Sequence, residues 1–106
     1  MSAPTLTTSP TSGPDAEDLR SIGYRQELHR RLGDLLYGQK QYDGAIREYA
    51  AVVASHPIDK AGAEFHLAQA YLAAGQKEKA QESVLAALEA APGYRPAQKM
   101  LLELSR

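Results

Sequence analysis

The stretch LGDLLYGQKQYDGAIREYAAVVASHP, residues 32–57, decides the fold, because a stretch of the same pattern, LAQAYLAAGQKEKAQESVLAALEAAP, follows at residues 67–92. In both stretches a large residue precedes a small one, an alanine lies near the middle and a proline ends the pattern. The matching positions, all 35 residues apart, are Leu32-Gly33 and Leu67-Ala68, Ala45 and Ala80, and Pro57 and Pro92. A fixed period of this length is typical of helical repeats, which stack to bury a shared core and present a shaped surface. The pattern therefore favours a binding function over a reaction centre.

The composition narrows the classes of protein to which this chain could belong. Its 106 residues suffice for one small domain. Lys and Arg together number 12 against 13 Asp and Glu, and the net charge of −1 provides no overall attraction to nucleic acid or to an anionic membrane. The chain has no cysteine, which excludes disulfides and thiolate nucleophiles and fits a reducing compartment. We therefore expect a cytoplasmic protein with neither a nucleic-acid nor a membrane partner.

Residues 1–14 differ from the rest, because they are rich in Ser, Thr and Pro and contain one sizeable apolar side chain, Leu6. Such a stretch cannot recover its ordering entropy by burial, so we expect a disordered tail. It also lacks the basic and apolar regions of a secretory signal, and no run in the chain approaches the ~18 apolar residues that suggest a membrane span. A helical domain is expected over residues 15–106, with Asp15 as a plausible N-cap of its first helix.

Apolar residues recur at steps of three and four along this domain, as they do on helices. The first helix is expected to end near Gly38, and one of its faces carries Tyr24, Leu28, Leu32, Leu35 and Leu36. Four more helices are predicted at residues 42–54, 59–74, 77–90 and 95–104. Short turns between them imply antiparallel neighbours.

The later helices have their own core candidates. Asp59 is the best N-cap for the third helix, and Gly75 supplies the turn that follows it. The residues expected to be buried on the third and fourth helices are Ala63, Leu67, Ala70, Tyr71, Ala74, Ala80, Val84, Ala87, Leu88 and Ala91. The fifth helix is expected to cap the array, with Met100 and Leu104 facing the fourth.

Over residues 26–94 the chain resembles the tetratricopeptide repeat family. The residues that carry the resemblance are Leu32-Gly33, Leu36, Tyr42, Ala45, Tyr49, Val52 and Pro57, and in the second unit Leu67-Ala68, Tyr71, Lys77, Ala80, Val84, Ala87 and Pro92. Two features depart from the family: the period is one residue longer than the usual ~34, and its early tryptophan position falls on His29 and Glu64. The resemblance implies an all-α fold, a right-handed α-solenoid of two antiparallel helix pairs plus a capping helix.

The resemblance also implies a binding surface. Members of this family bind extended or helical peptides along an inner surface formed by the first helix of each pair. The positions that correspond here are Glu27, Arg30, Asp34 and Tyr37 in the first unit, and Phe65, Gln69 and Leu72 in the second. Phe65 is the only phenylalanine of the chain, and it is either an anchor for a partner or a core residue, the anchor being favoured.

No set of residues in the sequence suggests catalysis. The three histidines, His29, His56 and His66, do not form the paired spacing of a helical zinc site. The basic residues of the first helix alternate with acidic ones, which indicates a solvated face with ion pairs along the helix. We therefore expect no enzymatic activity, no metal, no cofactor and no small-molecule substrate.

Two functional hypotheses remain. The leading one is a non-enzymatic interaction module, an adaptor or scaffold that receives a protein or peptide partner in its concave groove. The alternative is a structural assembly subunit that acts by self-association, as a homo-oligomer, or by docking into a larger complex, because two repeats fall below the usual minimum for independent stability.

Overall fold

The computed structural model describes the backbone of residues 16–106 and the side chains from residue 23 onward. This part of the chain contains five helices and no strand: α1 (Ala16–Gly38), α2 (Tyr42–Ala54), α3 (Lys60–Ala73), α4 (Lys77–Ala90) and α5 (Arg95–Leu104). Each helix packs on the next one along the chain, which confirms the all-α helical repeat. The right-handed sense of the solenoid stays a prediction. The expected tail at residues 1–14 and the Asp15 cap lie outside the described residues.

The turns within the two helix pairs have the same geometry. At the end of α1, the amide of Gln41 donates to the carbonyl of Leu36 at 2.8 Å, and at the end of α3 the amide of Gln76 donates to Tyr71 at 2.8 Å. This bond closes a Schellman motif, which requires a positive φ at the residue before the donor. That residue is Gly75, at φ 83°, in the second pair, but Lys40, at φ 64°, in the first. The first turn therefore carries a backbone strain that the second avoids.

The start of α3 follows the sequence prediction. The Asp59 side chain accepts a hydrogen bond from the amide of Gly62 at 2.9 Å and so caps the helix. This bond satisfies one of the amides that the first turn of a helix leaves without a partner. The other helix boundaries lie within one residue of those expected from the sequence.

Small residues allow the helices to cross closely. Ala45, Ala68 and Ala80 are fully buried, as the repeat pattern requires. One cluster joins α2 to α3 through Ala45, Tyr49, Leu67 and Ala70. A second cluster joins α3, α4 and α5 and contains Ala61, Ala68, Ala80, Val84, Ala87, Ala97, Met100 and Leu104. The prediction that Met100 and Leu104 cover the fourth helix is confirmed.

Gly33 lies where α1 approaches the Tyr49 ring of α2 closely. A Cβ atom placed on Gly33 would lie 2.7 Å from Cε1 and 2.8 Å from Cδ1 of Tyr49. Tyr49 is 4% exposed, its hydroxyl donates to Asp34 and its ring stacks on His66, so a shift of the ring would disturb these contacts. Glycine is required at position 33 because of this close approach.

The apolar face of α1 is exposed. Tyr24, Leu28, Leu32 and Leu35 share one face, as the spacing predicts, but their exposed fractions are 70%, 64%, 44% and 56%. Leu36 lies on a different side and approaches α2 near Gly44. The periodicity identifies a face, but it does not show whether another helix covers it. Ala74 lies beyond the end of α3, and Ala63, Tyr71, Leu88 and Ala91 are only partly buried.

We expect Gly33→Ala to destabilise the fold. Overpacking against the buried Tyr49 ring costs about 1–3 kcal/mol, and the better helix propensity of alanine returns up to about 1 kcal/mol, so a net loss of about 1–2 kcal/mol is expected. The matched control is Gly23→Ala on the same helix, where nothing lies within 4 Å of the added Cβ and a small gain in stability is expected. Urea denaturation of both variants measures the difference, and equal gains would contradict the close approach.

We expect Lys40→Gly to stabilise the fold by about 0.5–1 kcal/mol, because the relief of strain at a positive φ outweighs the freedom that glycine adds to the unfolded chain. Gly75→Ala at the equivalent turn should lower stability, because it introduces the strain that glycine avoids. Thermal unfolding followed by circular dichroism tests both. A loss of stability in Lys40→Gly would show that the turn carries no strain.

Candidate functional site

Two cavities lie on either side of α3. The α1–α3 cavity has a volume of about 340 Å³ and is lined by residues that include Glu27, Arg30, Tyr49, Ile58 and His66. The α3–α5 cavity has a volume of about 750 Å³ and is lined by residues that include Phe65, Gln69, Arg95, Lys99, Met100 and Leu102. Four of the seven residues expected at a binding surface therefore line a cavity: Glu27 and Arg30 the first, Phe65 and Gln69 the second.

The charges of the α1–α3 cavity pair with one another. Glu27 accepts hydrogen bonds from Arg30 at 2.8 and 2.9 Å and from Arg31 at 2.7 Å, and these bonds lower the pKa of Glu27 below its ordinary value. The same bond to Glu27 raises the pKa of Arg30. Arg30 also lies 4.0 Å from Asp34. Two acidic and two basic side chains thus form a neutral network along α1, of which Glu27 and Arg30 line the cavity. Asp59 adds a further carboxylate to the lining.

Tyr49 forms part of the floor of this cavity. Its hydroxyl donates a 2.5 Å hydrogen bond to Oδ1 of Asp34, and its ring stacks on His66 with centroids 5.8 Å apart. Burial, together with the Asp34 carboxylate, raises the pKa of Tyr49, so the hydroxyl keeps its proton and remains a donor. One oxygen of Asp34 is therefore already bonded within the fold and is not free for a partner.

The α3–α5 cavity is lined by apolar side chains together with two cations, Arg95 and Lys99, and one carboxylate, Glu103. Phe65 is partly buried and packs edge-on against Tyr94, with centroids 5.9 Å apart and planes at 77°. Leu102 is 68% exposed at the mouth. Among the described residues, no ion pair involves Arg95 or Lys99. Phe65 touches the core and also lines the cavity, so it combines the two roles that the sequence left open.

The remaining expected residues line neither cavity. Tyr37 is partly buried, stacks edge-on with Tyr42 at 5.4 Å between centroids, and packs against the cluster that joins α2 to α3. Leu72 is 38% exposed. Their assignment to the binding surface stays a prediction that rests on the family resemblance.

A polar contact between α1 and α2 was not predicted from the sequence. Nδ1 of His29 lies 2.6 Å from Oε1 of Glu48, so the histidine contacts the neighbouring helix rather than solvent alone. The positions 35 residues later are Glu64 and Ser83, both of which are buried. All four side chains are polar, so the sequence carries no apolar signal at these positions that could have shown this contact.

No group of three or more His, Asp or Glu side chains within the described residues could hold a metal ion. Within the same residues, no helix is long and apolar enough to cross a membrane.

A sequence model of the tetratricopeptide repeat family matches residues 36–104, which covers α2 to α5 and the end of α1. No curated protein matches the chain.

We expect Glu64→Gln to stabilise the protein at neutral pH. Burial raises the pKa of Glu64 above its ordinary value of 4.5, and Lys60 one turn earlier offsets this only in part. The folded state therefore binds the proton more tightly than the unfolded chain, and stability falls as the pH rises through and above 4.5. Glutamine removes this loss, so its advantage should vanish as the pH falls well below 4.5, where the carboxyl is protonated in both states.

Thermal unfolding of the two proteins across this pH range measures the effect. The matched control is Glu89→Gln, at an exposed position of α4, which should change the melting temperature little. An advantage of Glu64→Gln that does not depend on pH would contradict the assignment to carboxylate burial.

Proposed function

This chain belongs to the tetratricopeptide repeat family, and we propose that it is a non-enzymatic adaptor whose groove receives a peptide or a helix of a partner protein. The groove consists of the α1–α3 cavity, the α3–α5 cavity and the side of α3 between them. Repeats of this family generally mediate protein–protein interactions. We further propose that the groove is where the partner binds.

The observation that carries the proposal is the position of two neighbouring rings on α3. His66 lines the α1–α3 cavity and Phe65 lines the α3–α5 cavity, and their ring centroids lie 6.1 Å apart. A segment that lies across α3 would therefore contact both cavities. Concave sites with an apolar centre and a few polar groups are typical binding sites.

The two cavities would accept different parts of the partner. The α3–α5 cavity suits an apolar side chain against Phe65 and Leu102. Because Arg95 and Lys99 outnumber the one carboxylate of its lining, Glu103, it also suits an acidic group next to that side chain. The α1–α3 cavity has the Glu27–Arg30 pair and the Asp59 carboxylate in its lining, so it suits a polar stretch that hydrogen-bonds there. The partner would thus be a segment with one apolar anchor next to a carboxylate.

An adaptor role in the cytoplasm fits the remaining features. The absence of cysteine suits a reducing compartment, and the near balance of charge provides no general attraction to nucleic acid or membrane. We propose no cofactor and no small-molecule substrate.

Peptide display tests the groove directly. Random peptides selected on the wild-type protein should be enriched in sequences with an apolar residue next to Asp or Glu. The variant with both Leu102→Ser and Lys99→Glu should bind the selected peptides at least about tenfold more weakly by fluorescence polarisation. Both residues are exposed, so the fold should be unaffected.

The matched control is Leu85→Ser, because Leu85 is 49% exposed on α4 and lines neither cavity. Its affinity should equal that of the wild type. Equal affinity for the Leu102 and Lys99 double variant would contradict the α3–α5 cavity as the binding site.

A further inference from the structure

The exposed apolar face of α1 is a second surface with a defined shape. Tyr24, Leu28, Leu32 and Leu35 form a stripe, here called the α1 stripe, that extends over about three helical turns. They are four of the eight large apolar side chains that are exposed among the described residues. Contiguous apolar patches of this kind mark interaction surfaces in proteins.

The repeat offset shows what kind of surface this is. The residues 35 positions after Leu28, Leu32 and Leu35 are Ala63, Leu67 and Ala70. On α3, Leu67 and Ala70 are buried against α2 in the cluster that contains Ala45 and Tyr49. The α1 stripe is therefore the counterpart of the surface by which the second unit docks on the first, and no described helix covers it.

The spacing of the α1 stripe is nearly palindromic. Tyr24 and Leu35 lie at equal distances from the midpoint between residues 29 and 30, and Leu28 and Leu32 centre on residue 30. When two identical helices pair antiparallel about a two-fold axis at this midpoint, Tyr24 faces Leu35 of the other copy, and Leu28 lies within one residue, about 1.5 Å along the axis, of Leu32. Self-complementarity of this kind is the property that an isologous interface requires.

The charges along one edge of the stripe follow the same symmetry. Glu27 and Arg31 lie on the same side of α1 and centre on residue 29. In an antiparallel two-fold pair the same edge of each helix meets, so Arg31 of one copy lies near Glu27 of the other. Arg31 already donates to Glu27 through Nε, and its side chain is 75% exposed, so its remaining N–H groups are free to reach across.

We propose that the α1 stripe is a homodimer interface, in which α1 pairs antiparallel with α1 of a second copy of this chain. The partner's own Leu and Tyr side chains bury the stripe, and reciprocal Glu27–Arg31 pairs set the direction and register. The interface shares one residue, Glu27, with the lining of the α1–α3 cavity, and it does not depend on the function of the groove.

A charge-swap experiment tests the register. Glu27→Arg puts a second arginine beside Arg31 on one chain, and Arg31→Glu puts a second glutamate beside Glu27 on another, so each variant repels itself and attracts the other. Sedimentation velocity should show each variant alone as a monomer where the wild type is dimeric. An equimolar mixture should restore the dimer. Failure of the mixture to associate would overturn the antiparallel register.

A second experiment tests the apolar stripe in the full chain. Sedimentation velocity from about 1 to about 500 µM, a range that covers weak interfaces, should show a concentration-dependent dimer for the wild type. Leu28→Glu should raise the dimer dissociation constant at least about tenfold while the helix content by circular dichroism stays unchanged, because Leu28 is exposed in the monomer.

The matched control is Leu85→Glu on α4, which should dimerise like the wild type. A wild type that stays monomeric throughout, or a Leu28→Glu variant that dimerises with wild-type affinity, would overturn the proposal. Peptide binding by the groove variant described above is measured separately, so failure of the dimer and failure of the groove are distinguishable.

Discussion

The packing of the Tyr49 ring is the constraint on which the first three helices depend. The ring belongs to α2, lies against Gly33 of α1, donates through its hydroxyl to Asp34 of α1 and stacks on His66 of α3. Because protein interiors are closely packed, a ring held on three sides fixes the distance between the helices that touch it. The same ring is part of the floor of the α1–α3 cavity. The residue that sets the spacing of the scaffold therefore also shapes the surface proposed to receive a partner.

The two repeat units share the same arrangement of helices and turns but use different side chains at several equivalent positions. In the first unit His29 and Glu48 join the two helices through a polar contact, whereas the second unit buries Glu64 and Ser83 at the equivalent positions. The first turn uses Lys40 where the second uses Gly75. These differences are local, since the small residues at the helix crossings are kept in both units. Packing therefore preserves the repeat, and the positions that do not contribute to close packing differ between the units.

Much of this fold could be predicted from the sequence, because local signals determine helix boundaries. Asp59 as a cap and the prolines at the ends of the repeats act within a few residues, and the alanines at the crossings recur at a fixed offset. The candidate site was only partly predictable. The family resemblance places Asp34 on the inner surface, but it cannot show that Tyr49, fifteen residues away, bonds to it. Likewise, Leu32 and Leu67 occupy equivalent positions in sequence, yet only Leu67 is buried, because burial depends on which helix packs against the position.

Each helix packs mainly on its neighbours along the chain. This pattern of contacts determines how the protein folds and how it unfolds locally. Contacts between residues that are close in sequence require the closure of only short loops, so chains with mostly local contacts fold rapidly. In arrays of this kind, stability is approximately a sum of terms between adjacent units, and the ends open more readily than the middle. The central helix α3 contacts both α2 and α4, so it should exchange its amide protons last. A partner held across α3 would therefore bind the part of the molecule that unfolds locally least often. Helix α1, at one end of the array, would unfold locally more often.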